Sequence, residues 1–64
     1  MMSKADTFLG LTKKGAQNKA EEMNLIFRLV SVDGSNFLGY PEDTREDRVC
    51  VEIDKGAVIK AVIQ

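Results

Sequence analysis

The chain has no histidine, no tryptophan, one cysteine and one proline in 64 residues. Without histidine, acid–base and nucleophilic chemistry built on imidazole is excluded. With Cys50 alone an intramolecular disulfide is impossible, and Cys/His zinc sites have no ligand set. Long apolar runs are missing too. Nothing approaches the roughly 18 residues needed to span a bilayer, and residues 1–7 lack the apolar centre of a signal peptide. Neither sign of charge dominates: nine basic residues stand against ten acidic ones, for a net charge of −1. Such a balance gives no overall field to draw in nucleic acid or an anionic membrane. These absences predict a cytoplasmic protein with neither nucleic acid nor membrane as partner, and one unpaired cysteine agrees with a reducing compartment.

What is present is enough for one small domain. A core of this size leaves only about 3–5 kcal/mol of net stability, little to spare for an elaborate catalytic pocket. Residues 1–7 are polar and uncapped and read as a disordered tail, with Phe8 and Leu9 as the first anchors of a domain spanning 8–64. Thr12 is a helix N-cap, and Ala16, Ala20 and Met23 then share one face of a short amphipathic helix over 13–23. Gly15 weakens that helix by about 1 kcal/mol relative to alanine, and Lys13 and Lys14 sit at the wrong end of its dipole. Docking onto a sheet must hold it. Lys13, Lys14 and Lys19 give it a weak basic side, read as solvated.

Residues 25–32 are branched, aromatic and bounded by Asp33-Gly34, the pattern of a central strand in which Arg28 is the one charge. Residues 48–54 alternate Val49, Val51 and Ile53 with Cys50, Glu52 and Asp54, and Lys55-Gly56 turns the chain into a last strand at 57–63. Two topologies are open. Asp33-Gly34 is a strong hairpin signal and folds 28–32 back on 35–40 as a meander. Alternatively, 33–46 crosses the sheet and the first two long strands run parallel. A crossing loop of that length is uncommon unless it is functional.

The loop leads through the only proline and four carboxylates in six residues, Glu42, Asp43, Glu46 and Asp47. They must lie in water or against a basic partner. They lack the Asp-x-Asp-x-Asp-Gly spacing of a calcium loop, so no metal or other cofactor is expected. Pro41 fixes its own φ and biases Tyr40 toward extended backbone. Phe37 and Tyr40 read equally as core plugs and as anchors for a partner. Cys50 falls on the polar face beside Glu52, where negative neighbours raise a thiol's pKa, and reads as inert.

Leu9-Gly-Leu-Thr12 entering a helix with Ala16, an apolar strand, a long loop, the block Arg45-Glu-Asp-Arg-Val49 and a final hairpin at Gly56 resemble the potato inhibitor I family and its bacterial I78-type relatives. The resemblance spans about residues 8–62. It implies an α+β fold, one helix packed on a small three-stranded mixed sheet, whose exposed loop enters serine proteases like a substrate. It places Glu42 before the scissile bond and Asp43 after it, with Tyr40, Pro41 and Thr44 as further contacts and Arg45 and Arg48 bracing the loop from beneath. The chain departs from the family where Pro41 replaces the loop threonine, Thr44 an aromatic, and Cys50 a second bracing arginine. The tryptophan–proline entry and the proline-containing C-terminal motif of the family are absent.

The expectation is therefore a non-enzymatic binding protein that presents residues 37–47 to a protein target, a serine protease by resemblance. The alternative keeps the scaffold for a small microbial or phage-type interaction protein that sequesters or blocks another protein or small ligand, alone or as a homo-oligomer.

Overall fold

A computed structural model describes residues 4–64 of the chain. The element order is a 3-10 turn at Ala5–Phe8, helix α1 at Lys13–Glu22, and strands β1 Ile26–Val32, β2 Ser35–Asn36, β3 Arg48–Asp54 and β4 Ala57–Ile63. The strands form one mixed sheet in the order β2-β1-β3-β4. Among the described residues no helix is long and apolar enough to cross a membrane.

The helix begins and ends on local chemistry. Thr12 is extended, and its hydroxyl oxygen accepts the Gly15 N–H at 3.0 Å. A side chain at position 15 would bring its Cβ to 3.1 Å from that oxygen, so the glycine that weakens the helix interior leaves room for its cap. At the other end Asn24 takes a left-handed φ of 58°. The Leu25 N–H then reaches the Ala20 carbonyl and the Asn24 N–H the Glu21 carbonyl, the bond pair of a Schellman cap. Ala16 and Ala20 are fully buried, and their small size lets the helix lie close on the sheet.

Both readings of Asp33-Gly34 are realised in part. Asp33 and Gly34 have φ of 51° and 81°, the two positive values that a type I′ hairpin turn requires. The hairpin forms, but its returning strand β2 is only two residues long, pairing Ser31 with Asn36 and Val32 with Ser35. The chain then leaves the sheet, crosses it and re-enters as β3, parallel to β1, with Ile26 beside Arg48 and Leu29 beside Val51. The expected three strands are thus four. The extra one is the stub of the hairpin, cut short because β1 already has β3 on its other side and the loop must travel back to reach it. Lys55-Gly56 makes a second turn of the same kind and sets β4 antiparallel to β3. Asp33 ties the two turns together: its carboxylate accepts the Lys55 N–H at 2.8 Å, and its own N–H reaches the Ile53 carbonyl.

The core lies between helix and sheet: Phe8, Ala16, Ala20, Leu25, Leu29, Val49, Val51, Ile53 and Val58, with Leu11, Met23 and Phe27 packed at its margin. Of the tail expected over 1–7, residues 1–3 lie outside the described residues, whereas Ala5–Phe8 are folded and Ala5 is buried. Phe8 anchors this turn from its C-terminal end, fully buried in the core. The backbone then joins β4, the Gly10 N–H donating to the Val58 carbonyl and the Val58 N–H to the Leu11 carbonyl, both at 2.8 Å.

Phe8→Ala is expected to remove about 3–5 kcal/mol, comparable to the whole stability of a domain this small. Circular dichroism with urea titration checks it: a variant as stable as the parent would mean that the N-terminal turn is dispensable.

Candidate functional site

The outer face of the sheet, away from the helix, is where the crossing loop lies. Alternation sends Arg28, Arg48, Cys50 and Glu52 to that face, since Arg28 is in register with Cys50 and their neighbours Phe27, Leu29, Val49 and Val51 line the core. A bulge between Leu29 and Ser31 adds Val30 to β1, and Ser31 is thereby brought beside Glu52. The bulge also gives the loop its first hold. The Val30 carbonyl accepts the N–H groups of Phe37 and Gly39, at 2.8 and 3.2 Å, and the Leu29 carbonyl accepts that of Leu38.

Two arginines hold the loop from beneath. Arg28 donates through Nε to the Gly39 carbonyl at 2.8 Å and through Nη2 to the Leu38 carbonyl at 3.0 Å. Gly39 has φ of 69°, a conformation in which a side chain would be strained. Arg48, 9% exposed, donates through Nη2 to both the carbonyl and the carboxylate of Asp43, and through Nε to the Gln64 carbonyl at 2.8 Å. One guanidinium thus joins the loop to the end of β4. Every buried side-chain nitrogen or oxygen among the described residues has a hydrogen-bond partner.

Between these anchors Tyr40 is tied by its hydroxyl, which donates to Glu52 Oε2. Glu52 also accepts from the Ser31 hydroxyl and pairs with Lys60 at 3.9 Å, and the Lys60 ammonium stands 5.5 Å from the centre of the Tyr40 ring. Partial burial, then the bond to Glu52, pushes the Tyr40 hydroxyl well above the usual phenol range. It stays a proton donor at any physiological pH. Pro41 is half-buried, and Glu42, Asp43, Thr44, Arg45, Glu46 and Asp47 are exposed. Thr44, Arg45 and Glu46 form one wall of an open cleft of about 350 Å³, with Ile63 and Gln64 opposite.

The residues expected at the site divide accordingly. Tyr40, Pro41, Glu42, Asp43 and Thr44 do lie together on the loop, and Arg48 lies under it. Arg45 bonds within the loop itself: it makes a bidentate pair with Asp47, two residues on, at 2.7 and 2.9 Å, with both side chains about half exposed. That pair stiffens a local bend and does not brace the loop against the sheet. Arg28 takes the bracing role instead, at the other end of the loop, and Glu52 and Ser31 complete the set. Phe37 and Tyr40 are not core plugs: Phe37 is 65% exposed and Tyr40 39%, with Leu38 at 56% between them. Cys50 is fully buried rather than solvated on a polar face. Its thiol pKa is raised by burial first, and Arg48 and Arg28 oppose the rise. Among the described residues no group of three His, Cys, Asp or Glu side chains is placed to hold a metal ion.

Comparison with protein families, with curated proteins and with solved structures returns no match.

Two outcomes test this geometry. Arg48→Met is expected to remove about 1.5–3 kcal/mol, the range for hydrogen bonds to a charged group, whereas Arg45→Met should change stability by no more than about 1 kcal/mol, as for exposed ion pairs. Urea denaturation of the two variants reads the difference directly, and equal losses would contradict the division of roles. The second outcome concerns pH. The hydrogen bond from Arg48, then one from the backbone, holds the Asp43 carboxyl below the usual aspartate range. A carboxyl depressed in the folded state contributes fully above its unfolded pKa, about 3.9, and the contribution fades as pH falls from there through the folded value. Amide exchange at 42–44, followed from neutral pH to below about 4, should accelerate beyond its intrinsic pH dependence in the parent and not in Asp43→Asn.

Proposed function

We propose that this chain is a non-enzymatic binding protein that offers residues 37–47 to a protein target in the manner of a serine protease inhibitor. The observation that carries the reading is the pair of arginine anchors, Arg28 at Leu38 and Gly39 and Arg48 at Asp43. Between and beyond them Glu42, Asp43 and Thr44 stand in solvent. A loop fixed at both ends and exposed at its tip loses little conformational freedom on binding, and lower ordering cost is what turns a small contact into a tight one. The helix, the apolar strand after it, the long loop and the final hairpin come in the order that the potato inhibitor I resemblance implies. In that frame Glu42 lies before the bond presented to the protease and Asp43 after it. Arg48 holds the residue after that bond. Arg28 stands in for the second support that Cys50, a small buried thiol, cannot provide.

The apolar strip favours the second reading. Phe37 and Leu38 are more exposed than Tyr40, and they precede the segment that a protease cleft would take. Exposed apolar residues in a row mark a protein contact. A partner that covers 37–40 as well as 41–44 would make the chain a small blocking or sequestering protein on the same scaffold, with the loop used for an unrelated target.

A panel of serine proteases that includes glutamate-specific and subtilisin-like enzymes separates the two, with the parent, Glu42→Lys and Pro41→Gly compared. Tight inhibition that moves to a different enzyme class with Glu42→Lys, and weakens with Pro41→Gly, is the expected result. Rapid cleavage of the loop, or indifference of every enzyme, would sink the protease reading and leave the blocking protein.

A further inference from the structure

The sheet has two edges, and they are treated differently. On one side β2 is two residues long, and the rest of the β1 edge is partly closed by the N–H groups of Phe37, Leu38 and Gly39. On the other side lies β4, seven residues long. Its hydrogen bonding can be followed residue by residue. The Gln64 N–H donates to the Arg48 carbonyl, so the pairs of Arg48 with Gln64, Cys50 with Val62 and Glu52 with Lys60 are the bonded ones. The pairs between them, Val49 with Ile63 and Val51 with Ala61, are not. The backbone N–H and C=O of Ala61 and Ile63 therefore point away from the sheet. A bulge at Ile59 keeps the phase, and Val58 points the same way. Val58 is already covered: Gly10 and Leu11 bond to it from outside. The N-terminal half of this edge is thus closed by chain, bulge and Lys60, three devices by which natural sheets blunt their edges. Ala61 and Ile63 are left without such cover among the described residues.

We propose that this half-edge pairs with its own copy, β4 against β4, antiparallel about a two-fold axis beside Val62. One register uses all four free groups. It sets Ala61 against Ile63 of the second copy and Ile63 against its Ala61, so that each N–H meets a carbonyl. Val62 then faces Val62 across the axis in the close, non-bonded kind of pair, where apolar β-branched side chains contribute most. Lys60 falls opposite Gln64 of the second copy, and no like charges are opposed. Lys60 also comes to the rim of the cleft lined by Glu46 and Gln64, which brings a cation toward a carboxylate that makes no ion pair among the described residues. The neighbouring register, with Ala61 on Ala61, drives residue 64 of one copy into the place that Gly10 and Leu11 occupy along Val58. It is closed by the fold itself. The contact is isologous, as two-fold association requires, and short, so the product is a reversible dimer with a continuous eight-stranded sheet. It does not depend on the protease reading, and either stands if the other fails.

Sedimentation equilibrium over a range of concentrations, with isotope-filtered NMR on a mixture of labelled and unlabelled chains, tests it. The expected result is a monomer–dimer equilibrium with an intermolecular contact between the Val62 Hα protons and amide protection of Ala61 and Ile63 that grows with concentration. Ala61→Pro removes a donor that β3 does not use and is expected to weaken the dimer by about tenfold or more, the equivalent of two backbone hydrogen bonds across the axis. The NMR contact on the parent chain decides the matter even if that variant fails to fold. A chain that stays monomeric at every concentration, or a dimer whose contacts lie elsewhere or survive Ala61→Pro in a folded variant, overturns the proposal.

Discussion

The parallel pairing of β1 with β3 is the constraint from which the rest follows. Parallel neighbours cannot be joined by a tight turn, because the chain must return to the starting end of the sheet before the second strand begins. In larger proteins a helix makes that return. Here the helix has already been used ahead of β1, and the return falls to residues 33–47 without a helix or long strand of their own. An irregular segment crossing a sheet brings backbone groups with no ladder to satisfy them. The protein meets this with side chains from the sheet below, and the sites of greatest polarity on the outer face, Arg28, Arg48 and Glu52, are the sites where the loop is held.

This arrangement divides the two faces of the sheet by kind of interaction. The inner face is held by burial of aliphatic and aromatic side chains against two alanines of the helix. The outer face is held by directed bonds, mostly from guanidinium groups to carbonyls. Arg48 is the most enclosed of these, and a buried charge that loses its partner is strongly destabilising. Loop order and domain stability are therefore coupled at Asp43. Arg45, by contrast, belongs to a half-exposed surface pair with Asp47, and pairs of that kind contribute little to stability.

Local features were legible in the sequence, and long-range ones were not. The Thr12 cap, the strand at 48–54 and the turn at Lys55-Gly56 were written in short spacing patterns, and the structure has them at those residues. The Asn24 cap has no such pattern, since an asparagine after a helix is as common in a simple loop. Strand β2 was blurred because both of its alternatives were partly true. Arg28 shows why the site was only half visible: a lone charge in an apolar strand has no local sign of a partner eleven residues further on. Alternation puts Cys50 on the polar side of β3, but it tells sides apart and not what covers them. Burial on the outer face is set by the loop, and the path of the loop is a property of the whole fold.

Tyr40 is the only tyrosine and there is no tryptophan, and that one phenol rests on Glu52 beneath the Lys60 ammonium. Phenylalanine absorbs and emits weakly beside it, so the near-ultraviolet signal of the chain arises almost wholly from one side chain in the crossing loop. Its brightness and chirality depend on the carboxylate and the cation that hold the ring. The molecule thus carries an intrinsic optical reporter on the crossing loop itself, with no label to add and no tryptophan signal to subtract.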